Sequence, residues 1–304
     1  MAKFNPSRRK FIKEGTILGV GATALTAAPQ NRPRWDHTAD VVIVGAGASG
    51  LPAAIMARDR GATVIVIDVN HDIGGHAMLS GGRVPLGGGT SVQKKYGIED
   101  SADQVYRDHT DHRRSSYKFS DRNLVRVWAD ENAATFEFLV ENGVKFVDEK
   151  PAVTDGTVPR LVIAQVYSPD LKETINARPG SGIVRALEKT ARAKGVEFLL
   201  KHRLAKIVRE NPTSGKVLGI TARFENKDVN IQARRGVILA TGGHTGNVEF
   251  RRMFDPRLTE EYQVAGEPWT KQNADGELLA MEIGASLWAT ANQSSEGGAA
   301  ITVW

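Results

Sequence analysis

The most regular apolar pattern begins at Asp40. Val41, Val42, Ile43 and Val44 form an unbroken β-branched run that ends at Gly45. A strand buried on both faces of a parallel sheet reads this way, because neither face meets water. Leu51 to Arg60 has helical patterning and Gly61 ends it. Ala62-Thr-Val-Ile-Val-Ile-Asp68 is then a second β-branched strand that closes in an acid.

Further on, residues 101–114 and 121–142 are predicted helices. Leu124, Trp128, Phe136, Leu139 and Val140 recur at helical spacing and are expected in the core, and Asn142-Gly143 supplies a stop. Residues 148–176 are irregular, with Val162 to Val166 the best strand candidate. Arg178-Pro-Gly-Ser-Gly182 leads into a helix over 183–194 that Gly195 terminates. Val196 to Leu200, Ala205 to Val208, Val217 to Ala222 and Val229 to Ala233 follow as short strands, with a turn at Asn211 to Gly215. Gly236-Val-Ile-Leu-Ala-Thr-Gly-Gly243 repeats the opening theme of a buried strand breaking into glycines. Asn273-Ala-Asp-Gly276 starts a helix that runs to Gly284. The expected fold class is α/β: a Rossmann-like domain with a parallel sheet, accessory antiparallel strands and a helical insertion.

Gly45, Gly47 and Gly50, with Ala46, Ala48 and Ser49 between them, have the G-x-G-x-x-G spacing. The first glycine permits a tight turn, the second lets backbone approach a pyrophosphate, and the third lets the next helix pack against the strand. That helix N-terminus offers N–H groups and a positive dipole end to phosphate. Asp68, 18 residues after Gly50, can accept hydrogen bonds from an adenosine ribose. Glycines are dense again at Gly74-Gly75, Gly81-Gly82 and Gly87-Gly88-Gly89. Such density costs backbone entropy, and backbone passing close to a ligand explains it better than a plain loop.

Charge adds little to this picture. The chain of 304 residues carries 40 basic and 35 acidic residues, net +5; five bases and one acid lie within residues 1–28, which leaves 35 against 34 elsewhere. No nucleic-acid footprint is supported. With no cysteine, disulfides, thiolate metal sites, iron–sulfur clusters and C-x-x-C-H haem attachment are excluded for this chain. Ser7-Arg8-Arg9-Lys10-Phe11-Ile12-Lys13 followed by the mildly apolar Gly15 to Ala28 matches a twin-arginine export signal, too short for a membrane span. Residues 1–36 are therefore assigned to a signal peptide and linker, and 37–304 to the folded domain. The expected location is periplasmic or otherwise extracytoplasmic, with the twin-arginine machinery as a partner.

Together these motifs resemble the FAD-binding domain of the fumarate reductase and succinate dehydrogenase flavoprotein family, which includes urocanate reductases and 3-ketosteroid dehydrogenases. The matching pieces, in order, are Val41 to Gly50, Asp68, Gly74-Gly75 with Ser80-Gly81-Gly82, Arg178 to Gly182, Val237 to Gly243, and Asn273 to Gly276 with Gly284-Ala285. The spacing from Gly74 to Gly82 is closer to the ketosteroid dehydrogenase form. The resemblance implies FAD, bound non-covalently, with Gly45, Gly47 and Gly50 on the pyrophosphate and Asp68 on the ribose. It puts Ser80, Gly81 and Gly82 against the flavin and Leu204 or Ala205 near the adenine. Thr241 and Gly242 would run along the cofactor, with Asp275 beside the ribityl chain or pyrophosphate. Gly75 and His76 join the candidate site; His76 lies near the position of covalent flavin attachment in succinate dehydrogenase.

The implied chemistry is hydride transfer between flavin N5 and an activated carbon–carbon bond of an unsaturated acid or enone, served by a separate electron donor or acceptor. Where the family's fumarate reductases carry Gln-Ala-His-Pro-Thr, this chain has Asn292-Gln-Ser-Ser-Glu-Gly297, so no catalytic residue is assigned. The chain stops in an apolar stretch, Ala299 to Trp304, which reads as a truncated sequence lacking the family's cap domain. Two other readings stand beside this one: a non-catalytic flavin-binding remnant, and an NAD(P)-dependent Rossmann dehydrogenase, which leaves the later glycine motifs unexplained. No metal site is assigned: His109 and His112 sit at i, i+3, but nothing nearby suggests a third ligand. His244, directly after Gly243, is either a flavin contact or a turn residue.

Overall fold

The computed structural model describes residues 33–111, 113, 121–154, 156–167, 179–263, 270, 272–287 and 302–303. Residues 1–32, where the export signal is expected, and His112, Arg178 and residues 292–297 and 299–301 lie outside them. β1 (His37–Val44), α1 (Gly50–Asp59) and β2 (Val64–Ile67) form the predicted strand, helix and strand. An insertion follows, made of α2 (Gly75–Leu79), β3 (Arg83–Pro85), α3 (Ser91–Lys95), α4 (Ala102–Thr110), α5 (Arg122–Asp130), α6 (Asn132–Glu141) and β4 (Leu161–Ile163). The chain returns through α7 (Gly180–Ala193), β5 (Glu197–Leu199), β6 (His202–Asn211), β7 (Ser214–Phe224) and β8 (Lys227–Leu239). Beyond these lie α8 (Val248–Arg252), β9 (Tyr262–Gln263), α9 (Asp275–Glu282) and β10 (Thr302–Val303), with β9 and β10 pairing antiparallel.

The main sheet has strand order β5-β2-β1-β8-β7-β6. β5, β2, β1 and β8 run parallel, and β8, β7 and β6 antiparallel. The buried runs of β1 and β2 divide by period two. Ile43 and Val66 join Leu51, Ile55, Val184 and Leu187 of α1 and α7 on one face. Val42, Val44, Ile65 and Ile67 join Leu204, Ile207 and Ile220 on the other, where Leu279, Ala280 and Ile283 of α9 also pack. Both faces of the strands are covered, which is why no polar position interrupts them.

β8 departs from expectation. The sequence suggests two strands, Val229 to Ala233 and one from Gly236, but the structure runs them together. Its first part pairs with β7 and its last part with β1, with a register shift between Ala39 and Val41. Arg234 and Arg235, which join the two parts, turn to Asp40, their Nε atoms 3.1 and 3.5 Å from its Oδ1. The Thr63 N–H donates to the same carboxylate at 2.8 Å. That backbone bond first, and Arg234 after it, hold the Asp40 carboxyl down to about 2.

The helical stripe at 121–142 is also corrected. The chain breaks at Glu131, which closes α5 and opens α6. Phe136 and Leu139 are buried as expected, with Phe136 stacked on Phe146 at 5.0 Å. Leu124 is 67% exposed, and Trp128 and Val140 are also exposed. Helical spacing defines a stripe, but the break gives α5 and α6 separate orientations, and only the second stripe meets the core.

Gly87 to Gly89 fold against protein groups. The buried Arg160 donates to Asp100 from Nε at 2.8 Å and Nη2 at 2.9 Å, and to Asp108 from Nη1 at 2.8 Å. The Gly88 N–H also donates to Asp100 at 2.8 Å. A Cβ on Gly87 would stand 2.4 Å from Asp100 Oδ2. Burial pushes the Asp100 carboxyl up, but Arg160, Gly88 and Gln93 together bring it down to about 2.

Candidate functional site

The carboxyl ends of β1, β2 and β8 lie on one edge of the sheet, where dinucleotides bind in open parallel sheets. A groove of about 710 Å³ opens there, reached by the turn after each strand and by the first turn of α9. Gly45 has φ +105°, and a Cβ on it would sit 2.2 Å from the Ala240 carbonyl oxygen. A Cβ on Gly50 would sit 1.9 Å from the Gly45 oxygen. By contrast, the nearest atom to a Cβ on Gly47 is the Gly74 oxygen at 3.8 Å. The outer glycines thus close the turn, and the middle one leaves room for a ligand beside the backbone. No side chain caps α1 and its first turn holds no acid; the Leu51 N–H turns back to the Gly47 carbonyl at 3.1 Å and Pro52 has no N–H, so this end offers an anion the helix dipole and the N–H of Gly50.

Asp68 ties this turn to the end of β2. Its Oδ2 accepts from the Ala46 N–H at 2.8 Å and its Oδ1 from the Asn70 N–H at 2.8 Å. Burial raises the carboxyl above its ordinary value against the pull of both backbone bonds. Each oxygen keeps a further lone pair for a ligand hydroxyl.

On α9, Asp275 is held by Arg203, which donates from Nε at 2.8 Å and Nη2 at 2.7 Å. Gly276 packs on Thr241, whose Oγ1 would be 2.3 Å from a Cβ. The His244 ring packs edge-on against Phe250, and its Nδ1 lies 3.4 Å from Glu277 Oε1. Glu277 Oε2 is buried and has no hydrogen-bond partner among the described residues. An orphaned acceptor in a groove wall is the kind of group that a ligand hydroxyl or N–H satisfies. The glycine turn, the open helix N-terminus and this acceptor all fit a group that carries both phosphates and hydroxyls.

Of the residues expected from sequence, Gly45, Gly47, Ala48, Ser49, Asp68, Gly75, His76, Leu204, Thr241, Gly242 and Asp275 line the groove. Ala46 and Gly50 stand behind it as parts of the turn. Ser80, Gly81, Gly82 and Ala205 are not brought to it. Ser80 accepts from the Gly180 N–H at 3.0 Å, and a Cβ on Gly82 would stand 2.6 Å from the Pro179 carbonyl carbon. These residues seat the start of α7. Ala205 is exposed at a register shift between Leu204 and Lys206, so only Leu204 faces inward. His76 donates from Nε2 to the Thr270 carbonyl at 2.9 Å. His109 packs edge-on against Trp128 at 4.4 Å, and among the described residues no cluster could hold a metal ion.

Sequence reading missed Asn70, His202, Gln272 and Glu277, which also line the groove. His202 carried a signal: it stands two residues before Leu204, on the same face of β6.

The family model described as FAD binding domain matches residues 40–286. The urocanate reductase of Eggerthella lenta is 31% identical over 86% of this chain and 40% of its own. The acrylate reductase flavoprotein subunit of Shewanella woodyi is 29% identical over 86% of this chain and 51% of its own. Among solved structures, a 3-ketosteroid-Δ4-(5α)-dehydrogenase from Rhodococcus jostii RHA1 superposes with TM-score 0.70 at 27% identity, over 87% of this chain and 56% of that one. The open conformation of a flavocytochrome c3 fumarate reductase gives TM-score 0.71 at 28% identity, over 83% and 41%. The chain thus spans about half the length of the curated relatives it matches.

Proposed function

This chain belongs to the FAD-binding domain family and its cofactor is FAD, and from that premise we propose that it is the flavin-carrying part of a CH–CH oxidoreductase. Its substrate is an unsaturated acid or an enone. The supporting observation is the groove itself, in which an uncapped helix N-terminus, the Gly47 backbone and Asp68 stand in the order that a dinucleotide requires. Gly47 and the N-terminus of α1 hold the pyrophosphate, and Asp68 accepts from the adenosine ribose. Leu204 covers the adenine, while Thr241, Gly242 and Asp275, fixed by Arg203, lie along the rest of the cofactor. Bound FAD supplies a ring that exchanges a hydride with the neighbouring carbon–carbon bond. Electrons come from or go to a separate partner. The same premise sets aside an NAD(P)-dependent dehydrogenase.

Ser7-Arg8-Arg9 and the apolar stretch after it support export in folded form through the twin-arginine pathway. Among the described residues, no helix is long and apolar enough to cross a membrane.

The test is a spectrum followed by a turnover. The purified full chain is expected to show flavin bands near roughly 370 and 450 nm. After anaerobic reduction, fumarate, acrylate, urocanate and a 4-en-3-one steroid are added in turn, and return of the longer-wavelength band identifies the accepted class. A protein without flavin bands, or a reduced protein that no alkene reoxidises, removes the proposal.

A further inference from the structure

His202 lines the groove but has no part in the assignments above. His202 opens β6 where that strand leaves the end of β2, and its N–H donates to the Asp68 carbonyl oxygen at 2.8 Å. It therefore stands beside the carboxylate assigned to the ribose. Three features fix its ring. In the β6–β7 register His202 is opposite Phe224, and the two rings stack at 4.5 Å with 10° between their planes. Period two puts it on the same face as Leu204, which packs inward against Val44 and Ile67 at the strand ends. Its Nδ1 lies 2.7 Å from the Leu200 carbonyl oxygen. A carbonyl only accepts, so Nδ1 carries the proton. In the neutral ring Nε2 is then an acceptor, and it has no partner among the described residues.

We infer that His202 selects the purine of the cofactor, its Nε2 accepting from the exocyclic amine of adenine. This rests on the placement of the ribose at Asp68 argued above. A purine attached to that ribose lies between Asp68, His202 and Leu204, three of the groove residues at the end of β2 and the start of β6. Phe224 covers one face of the imidazole and the Leu200 carbonyl takes the other nitrogen, so the ring is preorganised before the ligand arrives. Adenine presents a donor to Nε2. Hypoxanthine, which has a carbonyl oxygen at the same position, presents a second acceptor and is rejected.

The experiment compares FAD with flavin hypoxanthine dinucleotide on the full chain, reading affinity by flavin fluorescence. The unmodified protein is expected to prefer FAD by about tenfold, the worth of one net hydrogen bond. His202→Phe keeps a ring against Phe224 but loses the acceptor, and is expected to bind the two dinucleotides within about twofold of each other. Equal affinities in the unmodified protein overturn the inference without recourse to any variant, and so does an undiminished preference in His202→Phe. Asp68→Ala separates the two levels of the argument. If it leaves FAD affinity unchanged, the ribose is elsewhere and the placement falls with the inference. If it weakens FAD while His202→Phe still discriminates, the placement stands and only His202 loses its role.

Discussion

Replacing Asp68 by Asn separates ligand binding from bracing of the glycine turn. In the folded protein one oxygen accepts from Ala46 and the other from Asn70, each at 2.8 Å. An amide replaces one oxygen by an NH2 group, which then faces a backbone N–H. The loss of a bond to a charged acceptor costs about 1.5–3 kcal/mol. Against this, burial already disfavours the charged form, as the raised carboxyl shows. A carboxyl raised above its unfolded value lends stability that is complete below about 3.9 and is lost as pH climbs through the folded value. Above the folded value the ionised Asp68 adds no stability through this linkage, and the neutral amide recovers part of the desolvation cost. The apoprotein of Asp68→Asn is accordingly expected to melt within about 3 °C of the unmodified form. FAD affinity is expected to fall roughly 10- to 150-fold, because the ribose hydroxyls lose a charged acceptor. Flavin-fluorescence titration and a thermal melt of the apoprotein read the two quantities separately. A melting point lowered by more than about 5 °C, with FAD affinity unchanged within about twofold, would refute the assignment and leave Asp68 as a brace.

Gly45→Ala, with φ +105° and a Cβ 2.2 Å from the Ala240 oxygen, is expected to abolish flavin loading, measured as flavin per protein. Gly61→Ala is its control: φ is +77° but nothing lies within 4 Å, so it costs about 1 kcal/mol and keeps its flavin. Gly87→Ala pushes into Asp100 and Arg160, and denaturant melts should show a loss of about 1–3 kcal/mol with FAD affinity unchanged. Arg160→Met strands two buried carboxylates at a cost of about 3–5 kcal/mol in urea unfolding. Because Asp100 is held down to about 2, its contribution is present above about 3.9 and is lost as pH falls from there through about 2. Stability curves of the unmodified protein between pH 5 and pH 2, on the order of that range, should show this slope, and Arg160→Met should flatten it.

Much of this was legible in local chemistry. Val41 to Val44 and Val64 to Ile67 could hardly be anything but buried strands, since no polar position interrupts them. Gly45, Gly47 and Asp68 come together at the groove, with Gly50 behind the turn, as the fixed spacing of the motif suggests. Gly87 and Gly82 are also glycines of close approach, and the groups that approach them are Asp100, Arg160 and the start of α7. Sequence states that something comes near a glycine, and the rest of the fold decides what it is.

The sequence by itself determined the parallel strands, the glycine turn and the family, because periodicity and steric demands at glycine act within a few residues of chain. Tertiary structure decided which residues share the groove. Asp68 and His202 are 134 positions apart and meet through a backbone bond at the end of β2, and Arg203 reaches Asp275 across 72 positions. The Glu277 carboxyl reaches the groove wall, with no donor for Oε2 among the described residues, because α9 packs against β6. Such meetings depend on how sheet and helices close on one another, and no local pattern of residues records that.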